Sequence, residues 1–235
     1  MGFTGEDRRS ALGGLGVAVA SPAALTSVWA VAWLRESARV ISEHRQELID
    51  LDRAIGDADH GENLDRGFSA VVKKLDDGGD PATPGAVLKL AAMTLMSSVG
   101  GAAGPLYGTA LLRAATSLGD TEQIGPDDVV GLLTAARDGV VARGKAETGD
   151  KTMVDAWTPA VEAAGTAAMA GAAVAEVLAA AANAANAGAA ATEPLIARKG
   201  RASYLGERSA GHLDPGAVST GLILQAAADT AAGSA

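Results

Sequence analysis

Hydrophobic residues recur at helical spacing along most of the chain. Near the start, Leu25, Val28 and Trp29 share one helical face, and the same period resumes at Val40 and runs to Gly56. Ser21 and Pro22 are suited to the cap and first position of the first of these helices. The pattern predicts an all-α protein whose first two helices follow each other closely.

The remaining hydrophobic segments predict seven further helices. Together the predicted helices run from Pro22 to about Glu36, from Val40 to Gly56, from Asn63 to about Leu75, from Pro84 to Met96, up to about Leu118, from Pro126 to Arg143, through two alanine-rich segments separated near Gly171, and from about Ala217 to Ala231.

Four polar, glycine-rich loops interrupt the helices, at residues 51–63, 97–109, 143–155 and 197–216. About 45 to 60 residues separate one loop from the next, which is room for two helices and a tight turn. A chain that runs up and down returns to the same end after each pair of helices. The spacing therefore predicts an eight-helix antiparallel up-down bundle, or barrel, with all four loops at one end.

The composition narrows the class of protein. Hydrophobic residues make up 48% of the 235 residues and aromatic residues only 3%, so the core must consist mainly of Ala, Leu and Val. The net charge of -9 argues against a nucleic-acid or membrane-surface partner. The absence of cysteine excludes thiol chemistry and is compatible with a cytoplasmic protein.

We expect one helical domain over residues 21–235, preceded by a flexible extension at residues 1–20. The alternative for this extension is an export signal, because Arg8 and Arg9 precede a short apolar stretch. Three glycines weaken that stretch, so we favour the extension. No uninterrupted apolar run is long enough to span a membrane.

The first polar loop carries three aspartates within eight positions: Asp52, Asp57 and Asp59. If their carboxylates converge, a hard cation should neutralise them, Mg2+ before Ca2+. An EF-hand does not fit, because Phe68 stands where its bidentate carboxylate is required. The alternative is a set of solvated aspartates in a turn.

Two other loops carry features that suit phosphate. In the second loop, Gly100, Gly101 and Gly104 precede a helix and could expose backbone amides to an anion, or could serve close helix packing alone. The fourth loop has the densest positive charge, and its arginines are either phosphate ligands or ordinary surface residues. His60, beside Asp59, could contact a phosphate or act as a structural hydrogen-bond donor.

The four loops in this order resemble the nucleotide-binding L subunit of dihydroxyacetone kinases. The similarity rests on residues 51–61, 100–108, 149–155 and 197–216. It implies an eight-helix barrel, in agreement with the spacing. It also implies that Asp52, Asp57 and Asp59 hold two Mg2+ ions that bridge the phosphates of ADP or ATP.

The resemblance implies further roles for individual residues. His60 and Arg201 are the expected catalytic residues. The expected nucleotide contacts are His60, Gly61, Glu62, Asn63, Ala102, Ala103, Gly144, Met153, Arg201, Asp214, Pro215 and Gly216. Ala103 replaces the serine that is usual in the family, and Glu62 adds a negative charge near the site.

The family's form that depends on the phosphotransferase system suggests the partners. There, a tightly held ADP is phosphorylated by a phosphohistidine protein, the M subunit, and the phosphoryl group passes to dihydroxyacetone on a K subunit. We expect this function and a homodimer. The alternatives are an ATP-dependent kinase subunit for dihydroxyacetone or a ketose such as erythrulose, and a nucleotide-sensing module that acts on a transcription regulator.

Overall fold

The computed structural model describes Met1, residues 24–79 and residues 81–233. The described residues form nine α-helices, with no strand among them beyond a single bridge between Leu25 and Ile124. The helices are α1 (Ser27–Glu43), α2 (Arg45–Ile55), α3 (His60–Gly78), α4 (Pro84–Ser98), α5 (Ala103–Leu118), α6 (Pro126–Gly144), α7 (Val154–Met169), α8 (Val174–Ala190) and α9 (Pro215–Ala232). A 3-10 segment, Arg201–Ser209, lies in the fourth polar loop.

Eight of the helices form a closed ring. In the order α1, α3, α4, α5, α6, α7, α8 and α9, each packs against the next, and α9 packs back against α1. The short helix α2 lies outside this ring and packs against α3, α9 and the 3-10 segment. The predicted all-α class and the eight-helix antiparallel barrel are confirmed.

The beginning of the first helix differs from the prediction. Residues 24–26 are not helical, and α1 begins at Ser27, where the Thr26 hydroxyl accepts a hydrogen bond from the Val28 amide at 3.3 Å. The predicted start at Pro22 is therefore wrong, because the threonine supplies the N-terminal cap. Ser21, Pro22 and the extension at residues 1–20 lie outside the described residues, apart from Met1.

Alanine and glycine allow the helices of the ring to approach closely. Many alanines of the ring are completely buried, Ala91, Ala110 and Ala181 among them. At Gly188 in α8, an added Cβ would lie 2.2 Å from the Asp155 carbonyl oxygen of α7, so no side chain fits there. The small residues thus fix the distance between neighbouring helices.

Two tryptophans close the ring between α1 and α9. The rings of Trp29 and Trp33 are stacked, with centroids 5.2 Å apart. Their indole N–H groups donate to carbonyl oxygens of α9, Trp33 to Ile223 at 2.8 Å and Trp29 to Ala227 at 3.1 Å.

Among the described helices, none combines the length and apolarity that a membrane span requires.

Candidate functional site

A cavity of about 550 Å3 lies at one end of the ring. All four polar loops line it, through residues between positions 52 and 63, 100 and 106, 144 and 154, and 199 and 216. Four helices, α3, α5, α7 and α9, begin at this end of the ring. Each helix N-terminus carries a partial positive charge, which favours an anionic ligand.

Three carboxylates meet at one side of the cavity. One oxygen each of Asp52, Asp57 and Asp59 lies within 4.8 Å of the other two. Asp52 is buried in the last turn of α2, whereas Asp57 is exposed and Asp59 is half-buried. This arrangement of oxygen donors suits a hard divalent cation.

The loop that carries the three aspartates folds back onto Asp52. The Asp52 Oδ2 atom accepts hydrogen bonds from the backbone amides of Asp59 at 2.8 Å and of His60 at 3.1 Å. Ala58 takes a left-handed φ of 63°, which is uncommon for a residue with a side chain. At Gly56, an added Cβ would lie 2.0 Å from Asp52 Oδ1. Glycine at position 56 is therefore required for the observed position of the carboxylate.

A positive side chain from the fourth loop reaches the carboxylates. Arg201 Nη2 lies 3.0 Å from Asp57 Oδ2, and both side chains are partly exposed. Lys199 also lines the cavity. An exposed ion pair of this kind contributes little to stability. Its significance is that Arg201 stands beside the predicted cation site, where it can offset further negative charge.

A buried chain of hydroxyl groups holds the imidazole ring of His60 in place. Its Nε2 atom is hydrogen-bonded to Ser219 Oγ at 2.9 Å, and Ser219 Oγ lies 2.7 Å from the Tyr107 hydroxyl. Burial lowers the pKa of His60 to about 4, against the opposing influences of Asp52 and the backbone of Pro215. The imidazole is therefore neutral at pH 7, and one of its nitrogens is already engaged.

Asp214 lines the cavity and directly precedes α9. Its Oδ2 atom accepts a hydrogen bond from the Ala217 amide at 2.7 Å and caps α9. Burial raises the pKa of Asp214 to about 7, with the nearby Asp155 carboxylate adding to the rise and Lys151 opposing it. This carboxyl group changes its charge near neutral pH.

The structure places the residues expected to contact a nucleotide as follows. Ten of the twelve line the cavity: His60, Asn63, Ala102, Ala103, Gly144, Met153, Arg201, Asp214, Pro215 and Gly216. Gly61 and Glu62 do not.

Gly61 and Glu62 face α2 instead. An added Cβ at Gly61 would lie 2.2 Å from the Arg45 carbonyl oxygen, so this glycine serves the packing of α3 against α2. The exposed Glu62 carboxylate lies 3.7 Å from the Arg45 guanidinium. The expected nucleotide contacts of these two residues remain a prediction, since neither lines the cavity.

Lys151 is a residue of the site that the sequence reasoning missed. It lines the cavity, is only 1% exposed, and donates to the carbonyl oxygens of Thr192 and Leu195, between α8 and the fourth loop. A lysine in a polar loop is typical of the surface. Carbonyl partners leave no signal in the sequence, since every residue carries one.

Comparison with known proteins identifies the family. The family model described as the DAK2 domain matches residues 54–229. The chain is 45% identical over 195 residues to the PEP-dependent dihydroxyacetone kinase, ADP-binding subunit DhaL, of Escherichia coli (strain K12), covering 83% of this chain and 92% of that protein. It is 43% identical over 202 residues to the corresponding subunit of kinase 1 from Listeria innocua, covering 86% and 96%.

A solved structure shows the same fold. The crystal structure of the dihydroxyacetone kinase from C. freundii in complex with AMP-PNP and Mg2+ aligns with a TM-score of 0.65 at 20% identity. The alignment covers 97% of this chain and 38% of that chain, which is therefore much longer. With the family model and the two relatives, this shows that the chain belongs to the DAK2-domain family, the family of the ADP-binding subunits of PEP-dependent dihydroxyacetone kinases.

Proposed function

We propose that this chain is the nucleotide-binding subunit of a dihydroxyacetone kinase and works in the cytoplasm as one helical domain. In this function it holds ADP with two Mg2+ ions. It accepts a phosphoryl group from a phosphohistidine on an M subunit and passes it to dihydroxyacetone on a K subunit. The observation that carries the proposal is the meeting of three carboxylates with four helix N-termini around one cavity.

The residues of the cavity fit magnesium and a nucleotide. Asp52, Asp57 and Asp59 would hold the metal, since their oxygens already lie within 4.8 Å of one another. The helix N-termini at Ala103 and Pro215 would face the phosphates. The volume of about 550 Å3 lies within the range of cofactor sites. When bound, magnesium neutralises phosphate charge and ADP serves as the phosphoryl acceptor.

The residues of the chain itself would position the phosphates and offset their negative charge. Arg201, beside Asp57 at 3.0 Å, can contact a phosphate without moving far. His60 is neutral and hydrogen-bonded to Ser219, which suits a residue that orients the loop better than one that carries charge to the phosphate. Such a site requires no covalent intermediate on this chain, because phosphoryl transfer depends mainly on alignment and electrostatics.

The test is to purify the chain, denature it and identify the nucleotide that is released. We expect retained ADP with magnesium, and turnover only when a K subunit and a phosphohistidine donor are both present. A chain that is empty as purified and turns over ATP with a K subunit alone would favour the ATP-dependent alternative.

A pair of variants tests the site itself. We expect Asp57→Asn to release the nucleotide, because it removes a metal ligand, and Asp120→Asn, in a turn at the far end of the barrel, to retain it. The proposal fails if Asp57→Asn keeps both its nucleotide and its activity.

A further inference from the structure

The ammonium group of Lys151 lies in a cage of backbone oxygens. Lys151 Nζ donates to the carbonyl oxygens of Thr192 at 2.7 Å, Leu195 at 3.1 Å and Glu193 at 3.2 Å, and also to that of His212. No carboxylate of the described residues forms an ion pair with it. Four carbonyl oxygens therefore surround the three N–H bonds of the ammonium. They take the place of water, as ligands do around a desolvated monovalent cation.

The cage joins the two ends of the segment between α8 and α9, which contains the fourth loop. Thr192 and Glu193 lie just after the end of α8, where the helix dipole places partial negative charge. His212 lies where the same loop returns toward α9. The ammonium therefore connects the beginning of this segment with its end. We call the two stretches that it joins, residues 192–195 and 211–214, the neck.

Two other hydrogen bonds also join the two stretches of the neck, and both are formed between uncharged groups. The Gly211 amide donates to the Glu193 carbonyl oxygen at 2.8 Å, and the Asp214 amide donates to the Thr192 hydroxyl at 3.0 Å. The chain between the two stretches of the neck bears Arg201, and the second stretch ends at Asp214. Both residues line the cavity. A change in the neck would therefore displace two sides of the cavity together.

Two features make a lysine at position 151 unfavourable for folding. Its φ is 62°, in the left-handed region where glycine is favoured and other residues are strained. Burial also lowers the pKa of Lys151, against the attraction of Asp214, Glu193 and Asp155, so the buried charge is itself unfavourable. The left-handed backbone and the buried charge both destabilise the fold. The hydrogen bonds of the ammonium to the neck best explain why a lysine stands at this position.

We propose that Lys151 is a positioning residue whose ammonium fixes the neck and thereby sets the affinity of the cavity for its nucleotide. It acts through the fourth loop, which places Arg201 and Asp214, and does not itself need to contact the ligand. The affinity part of this proposal rests on the proposed function.

The experiment compares Lys151→Met with Lys145→Met in the full chain. Lys145 is an exposed lysine of the third loop with a similar φ of 54°, so both substitutions leave a side chain in the left-handed region. We expect Lys151→Met to weaken ADP binding in magnesium, measured calorimetrically, by about tenfold or more. We expect amide exchange of residues 197–211, measured by mass spectrometry without nucleotide, to accelerate about tenfold. Lys145→Met should change neither.

A second variant keeps the proposal testable if Lys151→Met folds poorly. Lys151→Gln keeps an N–H donor without the charge, and we expect a smaller loss of affinity with faster exchange confined to the same loop. The proposal is overturned if ADP affinity and loop exchange stay unchanged, or if exchange accelerates equally in α4 and α5, which would indicate a general structural role. A wild-type chain that binds no ADP would refute the proposed function and the affinity claim, while the exchange comparison would still decide whether Lys151 fixes the neck.

Discussion

Replacement of Asp59 by Asn should stabilise the magnesium-free protein. Asp59 and the buried Asp52 have carboxylate oxygens within 4.8 Å of each other. At that separation two negative charges repel by about 3 kcal/mol at an effective dielectric constant of about 20. Asp59 precedes α3 without a side-chain capping bond, so Asn forfeits only the dipole attraction of about 0.5 to 1 kcal/mol. The net gain is about 2 kcal/mol, or about 4 to 8 °C in melting temperature for a chain of this size.

Thermal denaturation followed by circular dichroism, in EDTA and in magnesium, measures this effect. In EDTA, Asp59→Asn should melt above wild type. In magnesium, wild type should gain stability from metal binding and the variant should gain much less, because a ligand has been lost. Asp120→Asn serves as the control and should follow wild type in both buffers. A variant that melts below wild type in EDTA, yet keeps the full magnesium-dependent rise, would refute the reasoning that the carboxylates form one repelling, metal-binding group.

Three further predictions concern the loop of the three aspartates, the N-terminal cap of α9, and the seam of the ring, where α1 packs against α9. Gly56→Ala should abolish the magnesium-dependent rise in melting temperature and lower the free energy of unfolding by about 1 to 3 kcal/mol, because its Cβ would lie 2.0 Å from Asp52 Oδ1. Asp214→Asn should stabilise the protein more at pH 8 than at pH 5 in chemical denaturation. The raised pKa of about 7 means that folding favours the protonated acid, so wild type loses stability as pH rises through 7. Trp33→Phe should lower the free energy of unfolding by about 1 to 3 kcal/mol, measured in urea, since it removes an indole hydrogen bond of 2.8 Å to α9.

Each of these three has its own control or contrary outcome. Gly165→Ala, where an added Cβ meets nothing within 4 Å, should instead stabilise α7 by about 0.5 to 1 kcal/mol. A magnesium response that survives in Gly56→Ala would mean that Asp52 can bind metal from another position. An equal effect of Asp214→Asn at both pH values would contradict the raised pKa. A Trp33→Phe variant as stable as wild type would show that the seam between α1 and α9 does not depend on that bond.

The architecture could be predicted because it depends on spacing. Loops separated by two helices must return to the same end of an antiparallel ring, whatever side chains the helices carry. The carboxylate cluster could also be anticipated, since Asp52, Asp57 and Asp59 are close in sequence and a single turn brings them together. The resemblance to a family then supplied the roles that the residues alone left open.

Other features depend on contacts between distant residues and could not be predicted. Ser219, 159 positions after His60, engages its ring, and the carbonyl oxygens around Lys151 come from residues 41 to 61 positions later. Hydroxyl and carbonyl groups occur everywhere in the sequence, so nothing marks these partners in advance. The position of Gly61 and Glu62 outside the lining of the cavity is a feature of the same kind. Neighbours on a helix point in different directions, and motif membership does not give the direction.

The closed ring has a consequence for how the chain can be rearranged. Ala24 and Gly233 line the same small surface pocket, beside the first turn of α1 and the end of α9. A short linker between these two positions, in place of the residues outside them, would join α9 to α1 without altering any of the described helices. New termini could then be opened at Thr121, in the turn between α5 and α6. Such a circular permutant would keep every helix-to-helix neighbour and leave the loops at the opposite end uncut, so it should still bind its nucleotide.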